Sequence, residues 1–289
     1  MRHVLAFDFG GSSGRAVLAH FDGTKIELEE IHRFENSPVM IGGRLYWDVL
    51  RLFHELKTGL VRAKHICKVE CIGIDTWGVD FGLLDSSGSL MSNPYHYRDT
   101  KNNGYAKKAE SVMSASDLYM ETGTQIMDIN TLFQLLSLYD IQPELLRNAD
   151  ILLPMPDLFA YFLTGIKTCE RSMASTASMM NISTGQWSES VADRFGINRS
   201  LLPELTDCCT IKGELSPEIC SELETEPIPM VDSYFFQVRG EIFPMTMKNV
   251  LRRIDQKRRK EYRAFTRSAE IISSNESSVL KVWEEFFLK

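Results

Sequence analysis

Two apolar runs stand close together at the start of the chain, with one glycine-rich segment between them. They are Val4-Leu5-Ala6-Phe7-Asp8-Phe9, then Gly10-Gly11-Ser12-Ser13-Gly14-Arg15, then Ala16-Val17-Leu18-Ala19-His20-Phe21. A strand, not a helix, follows the glycines, so the segment reads as the tip of a hairpin. Asp22-Gly23 then gives a second hairpin signal, because both positions tolerate a positive φ. Ile26-Glu27-Leu28-Glu29-Glu30-Ile31 alternates apolar and polar residues and reads as a third strand. The chain therefore opens as three sequential antiparallel strands.

A glycine-rich loop after a strand lets backbone N–H groups come close to a phosphate. This one is not a P-loop, because no Lys precedes a Ser or Thr in it. Nor is it a dinucleotide fingerprint, which needs a helix next. Asp8 sits at the strand end, where an acid can hold Mg²⁺ against phosphate oxygens, directly or through water. Ser12, Ser13 and the amides of Ser13 to Arg15 can donate to phosphate. Arg15 can pair with phosphate or with strand acids. The spacing serves a phosphate cradle and an empty tight hairpin equally well.

Further on, Asp48 is a helix cap, and Leu52, Leu56, Leu60 and Ala63 share one face of a helix running to about Lys64. Val69 to Thr76 reads as a buried strand. Phe81 to Leu84 runs into a Ser86-Ser87-Gly88 turn. Residues 99–137 read as broken helices, with Asn130 or Thr131 as a cap. Pro156 to Leu163 reads as a helix with Gly165 just past its end. The order is strand, strand, strand, helix, strand, then mostly helix: a mixed α/β domain.

Composition narrows the classes. The chain has 289 residues, 44% hydrophobic and 25% charged, with a net charge of -7. That describes an ordinary soluble globular chain of one large domain or two ordinary ones. An acidic balance argues against backbone binding to nucleic acid. No apolar run approaches the ~20 residues that span a bilayer. Val4 to Phe7 is too short for a signal-peptide core, so the cytoplasm is the expected compartment. The six cysteines are expected as free thiols. Cys67 and Cys71, with His65 near, lack a second ligand pair and read as small buried side chains.

The charge is uneven. Residues 1–231 hold 20 Lys+Arg against 31 Asp+Glu, whereas residues 232–289 hold 12 against 8. The later segment carries Lys257-Arg258-Arg259-Lys260, a run that reads as a solvated helix face.

Several separated motifs share one family pattern. Phe7-Asp8-Phe9-Gly10-Gly11-Ser12-Ser13-Gly14-Arg15 resembles the first phosphate loop of the actin-like ATPase (ribonuclease H-like) fold. More narrowly it resembles the FGGY family of carbohydrate kinases, and within it the branch that phosphorylates L-rhamnulose. Glu30 to Phe34, Tyr46-Trp47-Asp48, Ile72 to Phe81, Tyr97-Arg98-Asp99, Asn130 to Leu135, Leu153 to Asp157 and Tyr161 to Gly165 follow in the same order. The resemblance covers residues 3–231. It implies an α/β domain with a mixed sheet and helices on both faces. It implies ATP and Mg²⁺ as cofactors and a small sugar as substrate. Gly11, Ser12, Ser13, Gly14 and Arg15 would hold the ATP phosphates, and Asp8 would stand near Mg²⁺ and the transferring phosphoryl group. Trp77, Gly78 and Asp80 would line the sugar pocket, Asp80 accepting from sugar hydroxyls, with Arg98 and Asp99 nearby. Asp157 reads better as an acid in the first turn of a helix than as a ligand. His96 has no partner visible in the sequence.

The resemblance ends at Pro227-Ile228-Pro229-Met230-Val231. The family's general base lies in a His-Asp-Thr motif, and here Asp232-Ser233-Tyr234 follows instead. Asp232 is therefore not assigned that role. The expectation is an N-terminal kinase domain over 1–231 and a foreign basic tail over 232–289, as a frameshift or early termination would leave. A lobe in this state is expected to catalyse weakly or not at all and to self-associate through its uncovered face. The competing readings are a non-catalytic sugar- or partner-binding remnant and an actin-like structural or chaperone ATPase. Trp77 to Asp80 and Tyr97 to Asp99 fit sugar recognition better than filament or peptide contacts. Translating the other reading frames past codon 231 tests the frameshift: a His-Asp-Thr motif is expected in one of them, and its absence from all counts against it.

Overall fold

The structure, a computed structural model, describes residues 1–22 and 25–232. Gly23 of the second hairpin signal and the basic tail from 233 onward lie outside the described residues.

The expected opening is present. Strand β1 (Arg2–Phe9) pairs antiparallel with β2 (Ser13–Phe21), and β2 with β3 (Ile26–Glu35). Helix α1 (Val49–Ile66) follows, and the Asp48 carboxylate accepts from the Arg51 amide at 3.2 Å as its N-cap. Its chain then returns as β4 (Cys71–Asp75), which lies parallel to β1. Two late strands complete the sheet, β5 (Ile211–Glu214) and β6 (Pro229–Val231), giving the order β5-β6-β4-β1-β2-β3.

Alternation along these strands sorts the side chains into two faces. Leu5, Phe7 and Phe9 of β1, with Ala16, Leu18, Ile72 and Ile74, pack against α1 and against α3 (Met155–Thr164) and α4 (Pro217–Leu223). Gly59 lies where α1 crosses the sheet most closely. A Cβ there would stand 2.6 Å from the Phe7 ring, which explains a glycine in mid-helix. Val4, Ala6, Ala19, Cys71 and Val231 form a smaller cluster on the opposite face. Asp8 shares that second face, as does Asp75, its register partner on β4.

A second core lies beyond β4. It gathers Phe81 and Leu83 with Leu132, Phe133 and Leu135 of α2 (Thr131–Ile141). Phe81–Leu84 pairs antiparallel with Ile151–Pro154. Helices do predominate after residue 76, as expected, but short strands that the sequence reading did not place lie among them. Strands occur at Ile151–Pro154, Thr168–Glu170, Glu204–Thr206, β5 and β6. Each has three or four residues, too short for a period-2 pattern to show. In β6 the proline occupies the first strand position, one of the few it tolerates in a sheet.

The late strands are anchored by buried charge. Lys212 of β5 lies between Asp157 of α3 and Asp232 just after β6, at 2.7 Å from Asp232. Burial works against the ammonium charge, but the two carboxylates override it and raise its pKa. Thr206 adds a hydroxyl to Asp232 at 2.5 Å. Asp157 thus has a structural partner as well as its place in the first turn of a helix. No helix among the described residues is long and apolar enough to cross a membrane.

Candidate functional site

The glycine-rich segment forms the tip of the β1–β2 hairpin, closed by Gly10 N donating to the Ser13 carbonyl at 2.9 Å. Asn36, just after β3, holds it from behind. Its amide donates to the Gly10 carbonyl at 2.7 Å, and its backbone N–H donates to the Ser12 carbonyl at 3.0 Å. Gly11 and Ser12 are exposed at the tip, while Gly14 is buried. Gly14 has a packing reason to be glycine: a Cβ there would lie 2.2 Å from the Phe34 ring. Arg15 Nε and Nη2 donate to one Asp8 oxygen at 3.0 and 2.8 Å.

Asp8 remains 26% exposed at the side chain. The parallel register places Asp75 beside it at the end of β4. Two carboxylates at adjacent strand ends form an oxygen donor set suited to a hard cation such as Mg²⁺. Asp75 had a sequence signal, since it ends an apolar run as Asp8 nearly does, but only the register brings the two together.

The second part of the site begins where the chain leaves β4. Val79 has φ +70°, a strained conformation for a β-branched residue. Three hydrogen bonds hold it there. Its N–H donates to the Thr176 hydroxyl at 3.2 Å, and its carbonyl accepts from Thr131 at 2.7 Å and from Gln134 at 3.2 Å. Strain held by converging partners is characteristic of functional segments.

Next to it, Asp80 lies in the interior at 1% exposure. One oxygen accepts from the indole N–H of Trp47 at 2.6 Å, the indole N–H of Trp77 at 3.0 Å and the Tyr97 amide at 3.1 Å. The other accepts from Gln134 at 2.8 Å. The expected sugar acceptor thus has four protein donors. Asp99 is equally enclosed: it accepts from the Leu45 amide at 2.6 Å and the Lys101 amide at 2.8 Å. Gly78 is buried, Trp77 is partly exposed and Arg98 is exposed.

An aromatic stack connects these groups. Trp47, fully buried, lies 3.8 Å from Trp77 and 4.1 Å from His96, centroid to centroid. His96 in turn stacks on Tyr97 at 4.5 Å. Burial, helped by Arg98, lowers His96 to about 4, so the ring is neutral at pH 7. The Arg98 amide donates to its Nδ1 at 3.0 Å, which leaves the ring proton on Nε2. The Arg98 guanidinium lies over the Tyr97 ring at 5.2 Å. The Tyr97 hydroxyl sits 3.9 Å from where a Gly11 Cβ would be. The glycine loop and the Trp77–Arg98 group are therefore neighbours on one open face. A small cavity lined by Phe81, Tyr95 and Leu138 and a groove lined by Leu60, Cys67 and Ile228 include none of these exposed residues.

Asp75, Trp47, Gln134 and Asn36 are site residues that sequence reasoning did not single out. Trp47 and Gln134 fall within motifs that it quoted, but their contacts depend on tertiary placement.

A hairpin loop between antiparallel strands, an acid at its base and a parallel fourth strand define the actin-like ATPase fold of the sugar kinases. A model of the FGGY family of carbohydrate kinases, N-terminal domain, matches residues 3–241. The chain belongs to that family. Two curated relatives are rhamnulokinases. That of Enterococcus faecalis is 40% identical over 216 residues, which make up 74% of this chain and 43% of that protein. That of Oceanobacillus iheyensis is 34% identical over 220 residues, 76% of this chain and 47% of that protein. The chain spans less than half the length of these relatives. Among solved structures, xylulose kinase from Lactobacillus acidophilus matches with a TM-score of 0.72 at 16% identity, covering 80% of this chain and 47% of that one. Plasmodium falciparum glycerol kinase with ADP matches with a TM-score of 0.66 at 21% identity, covering 81% and 49%. These last two likenesses show the fold alone.

Burial pushes Asp80 up to about 6, against the pull of its donors Trp47, Gln134, Tyr97 and Trp77. The folded carboxyl then keeps its proton at pH values where the unfolded one, near 3.8, has lost it. Its contribution to stability therefore falls as pH rises from about 4 to about 6 and is level above that. We expect Asp80→Asn to remove this fall, so that unfolding free energy measured in urea declines less over that range than in the parent. An identical decline in both proteins contradicts the assignment.

Proposed function

We propose that residues 1–231 are the sugar- and phosphate-presenting half of an ATP-dependent kinase that converts L-rhamnulose to L-rhamnulose 1-phosphate. The observation that carries the reading is the proximity of Gly11 to the Tyr97 hydroxyl, which puts the loop and the Trp77–Arg98 group on one face. The choice of sugar rests on the rhamnulokinase relatives.

In this reading the exposed backbone of Gly11 and Ser12, with Ser13, receives the ATP phosphates. Asp8 and Asp75 would hold Mg²⁺, directly or through water. A bound Mg²⁺ neutralises charge on the phosphate oxygens during transfer. Arg15 orients Asp8 through its paired N–H groups, and Gly14 keeps the loop seated on Phe34. Trp77 and Arg98 face the sugar, while Gly78 brings backbone close to it. Asp80 and Asp99 act from behind as positioning residues. Asp80 fixes Trp77 and Tyr97, and Asp99 fixes the Leu45 and Lys101 amides.

A sugar hydroxyl must lose its proton as it attacks the phosphoryl group, and a carboxylate within reach normally takes it. No His-Asp-Thr motif occurs in the 289 residues. Asp232 is occupied by Lys212 and Thr206. We therefore propose that this chain by itself binds both substrates on half a cleft and transfers phosphate weakly or not at all. A non-catalytic sugar-binding role is the second reading, favoured by the same missing motif.

A coupled ADP-release assay with L-rhamnulose, ATP and Mg²⁺ tests the proposal, with calorimetric binding measured alongside. We expect sugar binding without sugar-dependent ADP release, and loss of Mg²⁺-dependent ATP binding in Asp8→Ala. Turnover that requires the sugar and disappears in Asp8→Ala means that another group serves as base. No binding of either substrate to the folded chain contradicts the kinase-lobe reading.

A further inference from the structure

The far end of the β1–β2 hairpin carries a second cluster of reactive side chains. His3 and His20 are register partners across the two strands. Their Nδ1 atoms lie 2.8 Å apart. Cys67, the residue that caps the C-terminal end of α1, completes the group. One ligand atom from each of His3, His20 and Cys67 lies within 4.8 Å of the others, and all three residues are partly buried.

The cluster is independent of the kinase face. Asp8 lies five positions beyond His3 along β1, or ~17 Å of extended strand. It also differs from the pairing that spacing offers. Cys71 is four residues from Cys67, but it belongs to the small cluster on the opposite face of the sheet. The fold replaces it with two histidines from the first hairpin.

We propose that His3, His20 and Cys67 bind one divalent transition-metal ion of the zinc class, with water in the fourth position. The donor chemistry supports this. Two imidazole nitrogens and one thiolate match the preferences of a borderline-soft ion and do not suit Mg²⁺ or Ca²⁺. The two Nδ1 atoms are at hydrogen-bonding distance, and a bound ion would take the place of the proton between them, which passes through solvent to the Nε2 of the ring that carried it. His20 has an outer partner as well: its Nε2 lies 3.4 Å from the Glu29 carboxylate. A carboxylate there holds the ring proton on Nε2 and leaves Nδ1 bare for the metal, an arrangement common around zinc-bound histidine. On binding, the Cys67 S–H bond breaks, sulfur donates its electron pair to the ion, and the proton passes to solvent. The metal would tie the C-terminal end of α1 to the first hairpin, two elements that otherwise meet through apolar packing.

Cobalt(II) titration of the purified chain, first stripped with a chelator, reads the site directly. We expect one equivalent to produce a thiolate-to-cobalt charge-transfer band together with the visible bands of a tetrahedral ion, and zinc to abolish both. Cys67→Ser should lose the charge-transfer band. Glu29→Gln, an exposed change, should keep the band and weaken binding ~10-fold or more. Replacing Cys208 and Cys209 by Ser should leave the spectrum unchanged. Circular dichroism of each stripped variant checks that it is folded. The proposal is overturned if the parent chain shows no charge-transfer band at stoichiometric cobalt. It is equally overturned if the band persists in folded Cys67→Ser or disappears with Cys208 and Cys209.

Discussion

The candidate site depends on one buried carboxylate. Asp80 accepts hydrogen bonds from Trp47, Trp77, Tyr97 and Gln134. These donors come from four separate stretches of chain: the approach to α1, the exit from β4, the loop before Thr100–Asn102, and α2. A buried acid is costly without partners, and each lost partner leaves a desolvation penalty behind. The four stretches are therefore bound to one point. Trp77, proposed to face the sugar, and Tyr97, whose ring lies under Arg98, inherit their positions from it.

Two further devices make this face rigid. Val79 is held at positive φ by Thr176, Thr131 and Gln134, so the turn before Asp80 cannot relax without losing three hydrogen bonds. Asn36 holds the glycine loop from the opposite side at two carbonyls. The loop is thus positioned by Asn36 at the end of β3 and the Trp77–Arg98 segment by Asp80, and the two meet where Tyr97 approaches Gly11. Positioning through a supporting layer of this kind is what the proposed phosphoryl-transfer role would require, because placement and electrostatics supply most of such catalysis.

Much of this was legible in the residues, and the limits have physical causes. Strands β1 to β3 and helix α1 are eight or more residues long, and their apolar periods and turn signals agree with one another. Strands β5 and β6 have four and three residues, and the lysine that anchors β5 is hidden among ordinary polar residues. The glycine loop, Asp8 and the Trp77–Asp80 segment were visible as motifs. Their division of labour was not, because Asp80 and Asn36 act through contacts that only the folded chain creates. His3 and His20 are symmetric about the first hairpin turn, so the register follows once that turn is known. Cys67 joins them only through the packing of α1 on the sheet.

The central claim is that the glycine loop and the Trp77–Arg98 group form one ligand-binding face organised by Asp80. Two-dimensional NMR of the chain, titrated separately with L-rhamnulose and with ATP and Mg²⁺, tests it most directly. The claim predicts that the sugar shifts the indole N–H signals of Trp47 and Trp77 and the amides of Tyr97 and Arg98. It predicts that ATP shifts the amides of Gly11 to Arg15, with the Tyr97 amide responding to both ligands. Shifts confined to other parts of the fold, or none at saturating ligand, would contradict it.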